Sequence, residues 1–506
     1  VTVVAIAAPH GLAVDAAREA VSAGGNAVDA ALAAAAILAV VYPHQCSLGG
    51  DLTALLRRPD GSVEAILSLG AAPAAVDVAG LRARGTGMPH QGPDSVTVPG
   101  VVAGWAALAA GQARLGVASP LDRAAGIAAD GVPMADGLRR AVGDQIDAVR
   151  ADPGLRELLL RDGEPVAQLR QPALADTLAE LAGDPGGFYH GALAQRLARG
   201  LGALGSPITA EDLAEHEALS DRPLVLDAAG VRWWAAPPPA QGATALAMLD
   251  PTLGADLYHR ARAAHAARAR LLGDPRGGPI DLAGLSRPRA TATATGAPPA
   301  VAAAGDTVAI CAVDDEGRSV SLIQSVFQTF GAGLLEPETG IVLHNRGGAF
   351  VLLADPVAHD RHPGRLGPGL RPPHTLCPML AEGQGTRVAL GCQGGRAQPL
   401  ILAQVGPDAV SAGNALSPIL HRPRWVLGDR DLGFEAETLL IEPGAAWPSP
   451  DGETAAVTAP GPDDRCGHVS VARCTGGVLD AAADPRADGR SVVVAGPDVD
   501  HPGMAG

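Results

Sequence analysis

The stretch Gly305–Ser325, GDTVAICAVDDEGRSVSLIQS, decides how the rest of the chain is read. Two runs of alternating residues flank an acidic turn, the pattern of a β-hairpin. Directly upstream lies RATATATGAPPAVAAAG (residues 289–305), a low-complexity Ala/Thr/Pro segment that reads as a linker. A core-quality hairpin that starts at a threonine after such a segment has two readings. Thr307 is either a β-branched residue opening a strand, where such residues belong, or the residue before which the chain is cut. A threonine hydroxyl is a weak nucleophile unless a base lies beside it. An N-terminal threonine carries its own base, an α-amine with pKa roughly 7.7–8.0.

Outward from that hairpin, composition narrows the field. At 506 residues the chain has room for a large core. A net charge of −16 argues against nucleic acid or an anionic membrane as partner. The chain contains no lysine, which excludes a lysine Schiff base or lysine general base. Its six cysteines show no zinc-type spacing and are expected as scattered reduced thiols; the fourteen histidines include no H-E-x-x-H. No metal and no cofactor is called for. The start VTVVAIAAPHG lacks the features of a signal peptide. The longest apolar run, Ala30–Val41, is too short to span a bilayer and is expected as a buried helix. These features favour a cytoplasmic protein.

The remaining text alternates helices and strands. AVDAAREAVSAGG is an amphipathic helix closed by Gly24-Gly25, and Asn26 is placed to cap the apolar helix after it. Residues 100–205 read as helical, and the chain beyond residue 307 as strand-rich. Because strands and buried helices occur on both sides of the linker, one interwoven domain is expected. Gly200-Leu-Gly-Ala-Leu-Gly205 spells G-x-G-x-x-G, but a helix precedes it where a dinucleotide site needs a strand. No G-x-S-x-G elbow or S-x-x-K occurs. The run GCQGGRAQP (Gly391–Pro399) follows a strand, and its adjacent glycines can present N–H groups to an oxyanion or simply make a tight turn.

These residues together resemble a known family, the γ-glutamyltranspeptidase-like N-terminal-nucleophile hydrolases. The segments carrying the resemblance are GGNAVDAALAAA, PHQCSLGGDLTALL, PGVVAGW, PPPAQGATALAML, the 305–325 hairpin, FGAGLLEPETGIVLHNRGGAF, RPPHTLCPML, GCQGGRAQP and ADPRADGRS, in the family's order and spacing. The resemblance implies a four-layer αββα sandwich made as a precursor. That precursor would cleave itself between Asp306 and Thr307 into a large subunit, 1–306, and a small subunit, 307–506, which stay together. Thr307 would be the agent of cleavage and the catalytic nucleophile, acting on a small-molecule substrate through an acyl-enzyme. Gly394 and Gly395 align with oxyanion-hole glycines and Ser325 with a hydroxyl residue that supports the nucleophile. His374 and Thr375 occupy the place of a serine pair near the scissile carbonyl, and Asn345 matches a pocket asparagine.

Departures from the family pattern point away from a glutamyl substrate. The run that holds the glutamate carboxylate through an arginine reads here Leu69-Gly70-Ala71-Ala72-Pro73. Phe327 stands where an amine-binding asparagine is expected, and Arg346-Gly347-Gly348-Ala349 replaces the acidic and amide residues. A glutamyl head group would leave its charges unpaired in such a pocket. HNRGGAF and PHTL look more like the branch containing oxamate amidohydrolase and acylase-like members. There, Arg346 would anchor a carboxylate, or else make a surface or interface salt bridge. Homologues in antibiotic pathways, which cleave a carbon–carbon bond beside a keto acid for 4-alkylproline units, are an alternative. An unprocessed, non-catalytic homologue is another, and a homo-oligomer is left open.

Overall fold

Alternation in the central hairpin becomes two long strands, Gly305–Asp314 and Ser319–Gln328, paired antiparallel. Successive side chains point to opposite faces of a strand. Accordingly Val308, Ile310 and Ala312 join the apolar cluster built around the helix Ala27–Val41. Cys311 and Val313 instead meet Leu380, Ala389 and Ala472 of a second sheet. The structure is a computed structural model and describes residues 2–85, 87–254, 256–288, 305–429, 432–448 and 454–497. Residues 289–304 of the expected linker lie outside the described residues.

Seven strands form the first sheet, in the order 490–495, 3–8, 305–314, 319–328, 51–57, 63–68, 219–221. Six form the second, in the order 478–483, 469–475, 386–392, 379–383, 231–235, 224–228. On the outer face of the first sheet lies Ala27–Val41, buried along its whole length, as its unbroken apolar run requires. Asn26 caps this helix, accepting from the N–H groups of Val28 and Asp29. The helices Gly242–Leu249 and Gln398–Val410 cover the outer face of the second sheet. The result is helix, sheet, sheet, helix, with strands from both sides of residue 306 interleaved in the first sheet.

One expectation about the hairpin changes. The strand does not begin at Thr307; it starts at Gly305, so the Asp306–Thr307 bond lies inside the ladder. Register slips at that bond. Asp306 pairs with Phe327 and Val308 with Gln324, so Ser325 and Val326 together face the single Thr307. Such a bulge bends the strand and re-aims its side chains. Elsewhere, the G-x-G-x-x-G segment runs out of the helix Gly191–Ala203, as its preceding helix implied. All six cysteines are buried and free. Among the described residues no helix is long and apolar enough to cross a membrane.

Candidate active site

The bulge brings two hydroxyls together. Thr307 Oγ1 donates to Ser325 Oγ at 3.1 Å, and Ser325 Oγ donates to the Asp306 carbonyl oxygen at 2.5 Å. The Phe327 N–H also donates to Ser325 Oγ, at 2.8 Å. Thr307 and Ser325 are both buried. One hydroxyl thus touches the Thr307 side chain and the carbonyl that precedes Thr307. A donor on that carbonyl oxygen polarises it toward attack by a neighbouring hydroxyl. Burial pushes the Asp306 carboxyl up to about 6, against the opposing pull of Thr329, His468 and Gln393. Its Oδ1 lies 3.5 Å from Gln393 Nε2.

Gln393 leads into the glycine turn. Gly394 has φ 137° and Gly395 φ 53°, both in the region that favours glycine. The turn follows the strand Thr386–Cys392 and is anchored by Gln393 N–H to the His468 carbonyl, 3.0 Å. Gln241 ties it to the other wall of the site, because its Nε2 donates to the carbonyls of both Thr375 and Gly395. Glycine backbone in this conformation can aim N–H groups at an anion.

Behind these groups lies a charged cluster that sequence reading did not assemble. Asp51 Oδ2 is 3.1 Å from His344 Nδ1, 3.6 Å from His374 Nε2 and 3.7 Å from Arg346 Nε, all at 0 % side-chain exposure. Asp51 Oδ1 accepts from the Gly70 N–H at 2.8 Å. Burial alone would raise the Asp51 carboxyl, but His344, His374 and Arg346 outweigh it and hold the group at about 2. Burial lowers Arg346 to about 10 and drives His374 well below its usual range. Arg346 Nη1 donates to Thr375 Oγ1 at 3.0 Å, and its guanidinium lies 4.0 Å over the Phe327 ring. Among the described residues, Arg346 Nε and Nη2 and both ring nitrogens of His374 have no hydrogen-bond partner. Buried donors without partners are rare. At this site they fall on Arg346 and His374.

The expected residues thus separate into groups. Thr307, Ser325 and Asp306 meet at the bulge; Arg346, Thr375, His374 and Phe327 form the charged wall beside it. Arg346 is no surface residue. Asn345 is committed to the fold: its Nδ2 donates to the His90 carbonyl and Gln328 Oε1, while its Oδ1 accepts from the Gln328 N–H. Leu69 is packed among Ala236, Ala240, Ala309, Ile323 and Leu376. Its neighbour Gly70 explains the LGAAP run, since a Cβ there would lie 1.6 Å from the Val98 carbonyl oxygen. Missed from sequence were Asp51, His344, Gln241 and Gln393. Their signal was faint but present: a polar residue set in or beside an apolar run, as in GGDLTALL and IVLHN.

Comparison with known proteins accords with this arrangement. The family model described as gamma-glutamyltranspeptidase matches residues 13–494. The oxamate amidohydrolase proenzyme of Klebsiella pneumoniae is 37% identical over 523 residues, covering 95% of this chain and 97% of its own. The glutathione hydrolase-like YwrD proenzyme of Bacillus subtilis is 32% identical, covering 86% of this chain and 87% of its own. Among solved structures, the cephalosporin acylase from Bacillus halodurans superposes with a TM-score of 0.83 at 27% identity, covering 97% of this chain and 96% of its own. With its layered fold, its bulged hairpin and these whole-length likenesses, the chain belongs to the gamma-glutamyltranspeptidase family of N-terminal-nucleophile hydrolases.

Proposed function

We propose that this chain is a precursor that cleaves itself between Asp306 and Thr307 and then hydrolyses the amide of a small acid. The observation that carries the reading is the chain of contacts from Thr307 Oγ1 through Ser325 Oγ to the Asp306 carbonyl oxygen. In the first reaction Thr307 Oγ adds to the Asp306 carbonyl carbon while Ser325 steadies the charge developing on its oxygen. The C–N bond breaks, the Thr307 nitrogen takes the proton, and water hydrolyses the resulting ester. Residues 1–306 and 307–506 become two subunits, held by the strands they share in one sheet.

Cleavage leaves an α-amine beside the Thr307 hydroxyl. That amine takes the hydroxyl proton as Oγ adds to a substrate amide carbonyl and returns it to the leaving nitrogen. Gly394 and Gly395 face the oxyanion, and water then releases the acid from the acyl-enzyme. Arg346 is the carboxylate anchor. Its Nη2 is without a partner, while its Nε faces the buried carboxylate of Asp51, which keeps it in place. The anchor is tied closely to the reacting groups. It bonds Thr375, whose carbonyl shares the Gln241 amide with the Gly395 carbonyl. This favours a short acid, in keeping with the name of the oxamate amidohydrolase relative. Asn345 supports the wall from behind, and Leu69 supplies no charge for a glutamyl head group.

Denaturing mass analysis together with ammonia release from oxamate tests the reading. The expected result is a fragment beginning at Thr307, absent in Thr307→Ala, and turnover that Arg346→Ala suppresses. A Thr307→Ala chain cut at the same bond refutes the cleavage mechanism, and acid amides turned over equally well by Arg346→Ala refute the anchor.

A further inference from the structure

Phe327 joins the two halves of the site through a backbone that phenylalanine seldom adopts. Its φ is +81°, in the left-handed region where a bulky side chain crowds its own backbone. Strain of this kind persists only where the surroundings over-determine it, and it gathers at functional sites. Three contacts do so here. The Phe327 N–H donates to Ser325 Oγ at 2.8 Å. Its Cα pairs with that of Asp306 where the register slips. Its ring carries the Arg346 guanidinium at 4.0 Å. One residue therefore grips the hydroxyl beside Thr307 with its backbone and the anchoring arginine with its side chain.

We propose that Phe327 is a positioning and specificity-determining residue that couples occupancy of Arg346 by a substrate carboxylate to the orientation of Ser325 beside the nucleophile. This rests on the reading of Thr307 as nucleophile and Arg346 as anchor. A carboxylate on the unpartnered Nη2 of Arg346 adds to the hold of Thr375 on Nη1 and of Asp51 on Nε, and fixes the guanidinium plane. A fixed plane holds the ring beneath it, because a cation over an aromatic face is attracted to that face. With the ring held, the strained backbone cannot relax, and the Phe327 N–H stays on Ser325 Oγ. A neutral substrate of the same size leaves the guanidinium held by Asp51 and Thr375 only, so the ring and the strained backbone are held in this geometry less firmly. The far carboxylate then accelerates turnover as well as tightening binding.

Oxamate and oxamide test this, since they differ only in carboxylate against carboxamide at the far end. Kinetic constants from ammonia release are compared for the unaltered enzyme, Phe327→Leu, Phe327→Tyr and Arg346→Ala, each first checked for the fragment beginning at Thr307. The unaltered enzyme is expected to show both a higher kcat and a lower KM on oxamate. Phe327→Leu keeps an apolar body but no π face. It should raise KM for oxamate roughly 5- to 30-fold, the loss of a desolvated cation–π contact, and erase the kcat advantage. Its kcat and KM on oxamide should change by a clearly smaller factor than on oxamate, and Phe327→Tyr should retain the full preference. If Phe327→Leu does not mature, Phe327→Met takes its place with the same expected outcomes.

A ring with a merely structural role would lower kcat on both amides alike. That result, or an unchanged kcat ratio in the Leu variant, overturns the proposal. If Arg346→Ala keeps the preference for oxamate, or the unaltered enzyme turns over neither amide, the anchor reading fails and this inference falls with it. A preference that depends on Arg346 but not on Phe327 overturns this inference alone.

Discussion

Replacing Asp51 by asparagine removes the one negative charge at the centre of the buried cluster while keeping its shape. The carboxyl is held at about 2 against an ordinary value of 3.8. With about 1.4 kcal/mol per unit, that depression corresponds to roughly 2–3 kcal/mol of stability. Because the folded value lies below the ordinary one, the contribution is complete above about pH 4 and is lost as pH falls toward about 2. Asparagine also leaves the Arg346 charge buried without its counter-charge. Breaking one side of a buried pair in this way costs on the order of 3–5 kcal/mol. The larger figure includes the first, so Asp51→Asn should destabilise the chain by about 3 kcal/mol at pH 7.

Denaturant midpoints at pH 7 and pH 3 measure this best in chains carrying Thr307→Ala, so that all are compared as one uncut polypeptide. The gap between the chain that keeps Asp51 and the chain that carries Asp51→Asn should shrink at the lower pH. Adding Arg346→Met to Asp51→Asn removes both charges, and most of the lost stability should return. A loss under about 0.5 kcal/mol at pH 7, within the range of ordinary surface changes, would refute the reasoning. So would a double variant as unstable as the sum of the single ones, because the two groups would then not be coupled.

Other consequences follow from the same contacts. Ser325→Ala removes the donor on the Asp306 carbonyl, and the fragment beginning at Thr307 should appear about a hundredfold more slowly on a denaturing gel; an unchanged rate would dismiss the Ser325 role. Asp306 titrates near 6, above its ordinary value, so its favourable contribution is complete below about pH 4 and lost as pH rises through about 6. In the Thr307→Ala chain, Asp306→Asn should therefore gain on the order of 2–3 kcal/mol relative to Asp306 between pH 3 and pH 8, and a pH-independent difference would contradict this. Gly70→Ala would press a Cβ against the Val98 carbonyl and disturb the N–H that holds Asp51, so a fall in soluble yield and denaturant midpoint is expected, with normal behaviour counting against the packing account.

Much of the fold was legible because its signals are local. A run such as Ala27–Val41, apolar on every face, can only be buried, and Asn26 announces where it starts. The alternation from Val308 to Val313 specifies which side chains face the helices and which face the other sheet. The family resemblance implied Ser325 beside Thr307, and the two hydroxyls do meet in the hairpin. The strand starts two residues earlier than its alternation implies. Gly305 and Asp306 carry no strand propensity of their own, and pairing with Gln328 and Phe327 draws them into the ladder.

The sequence by itself placed the buried helix and the alternating strands, because those depend on periodicity, and through its family resemblance it implied the layered architecture, Thr307 as nucleophile candidate and a non-glutamyl pattern in the Leu69–Pro73 run. Only the tertiary structure decided that Arg346 is buried rather than exposed, that it gathers with His344 and His374 around Asp51, and that Asn345 serves the fold. Asp51 and Arg346 stand almost 300 residues apart in the chain. No local rule links them. They meet because Asp51 begins a strand laid against the one that ends beyond Phe327, and the next segment folds back over that edge. The bulge opposite Thr307 is of the same kind, a product of register between strands that neither strand encodes alone.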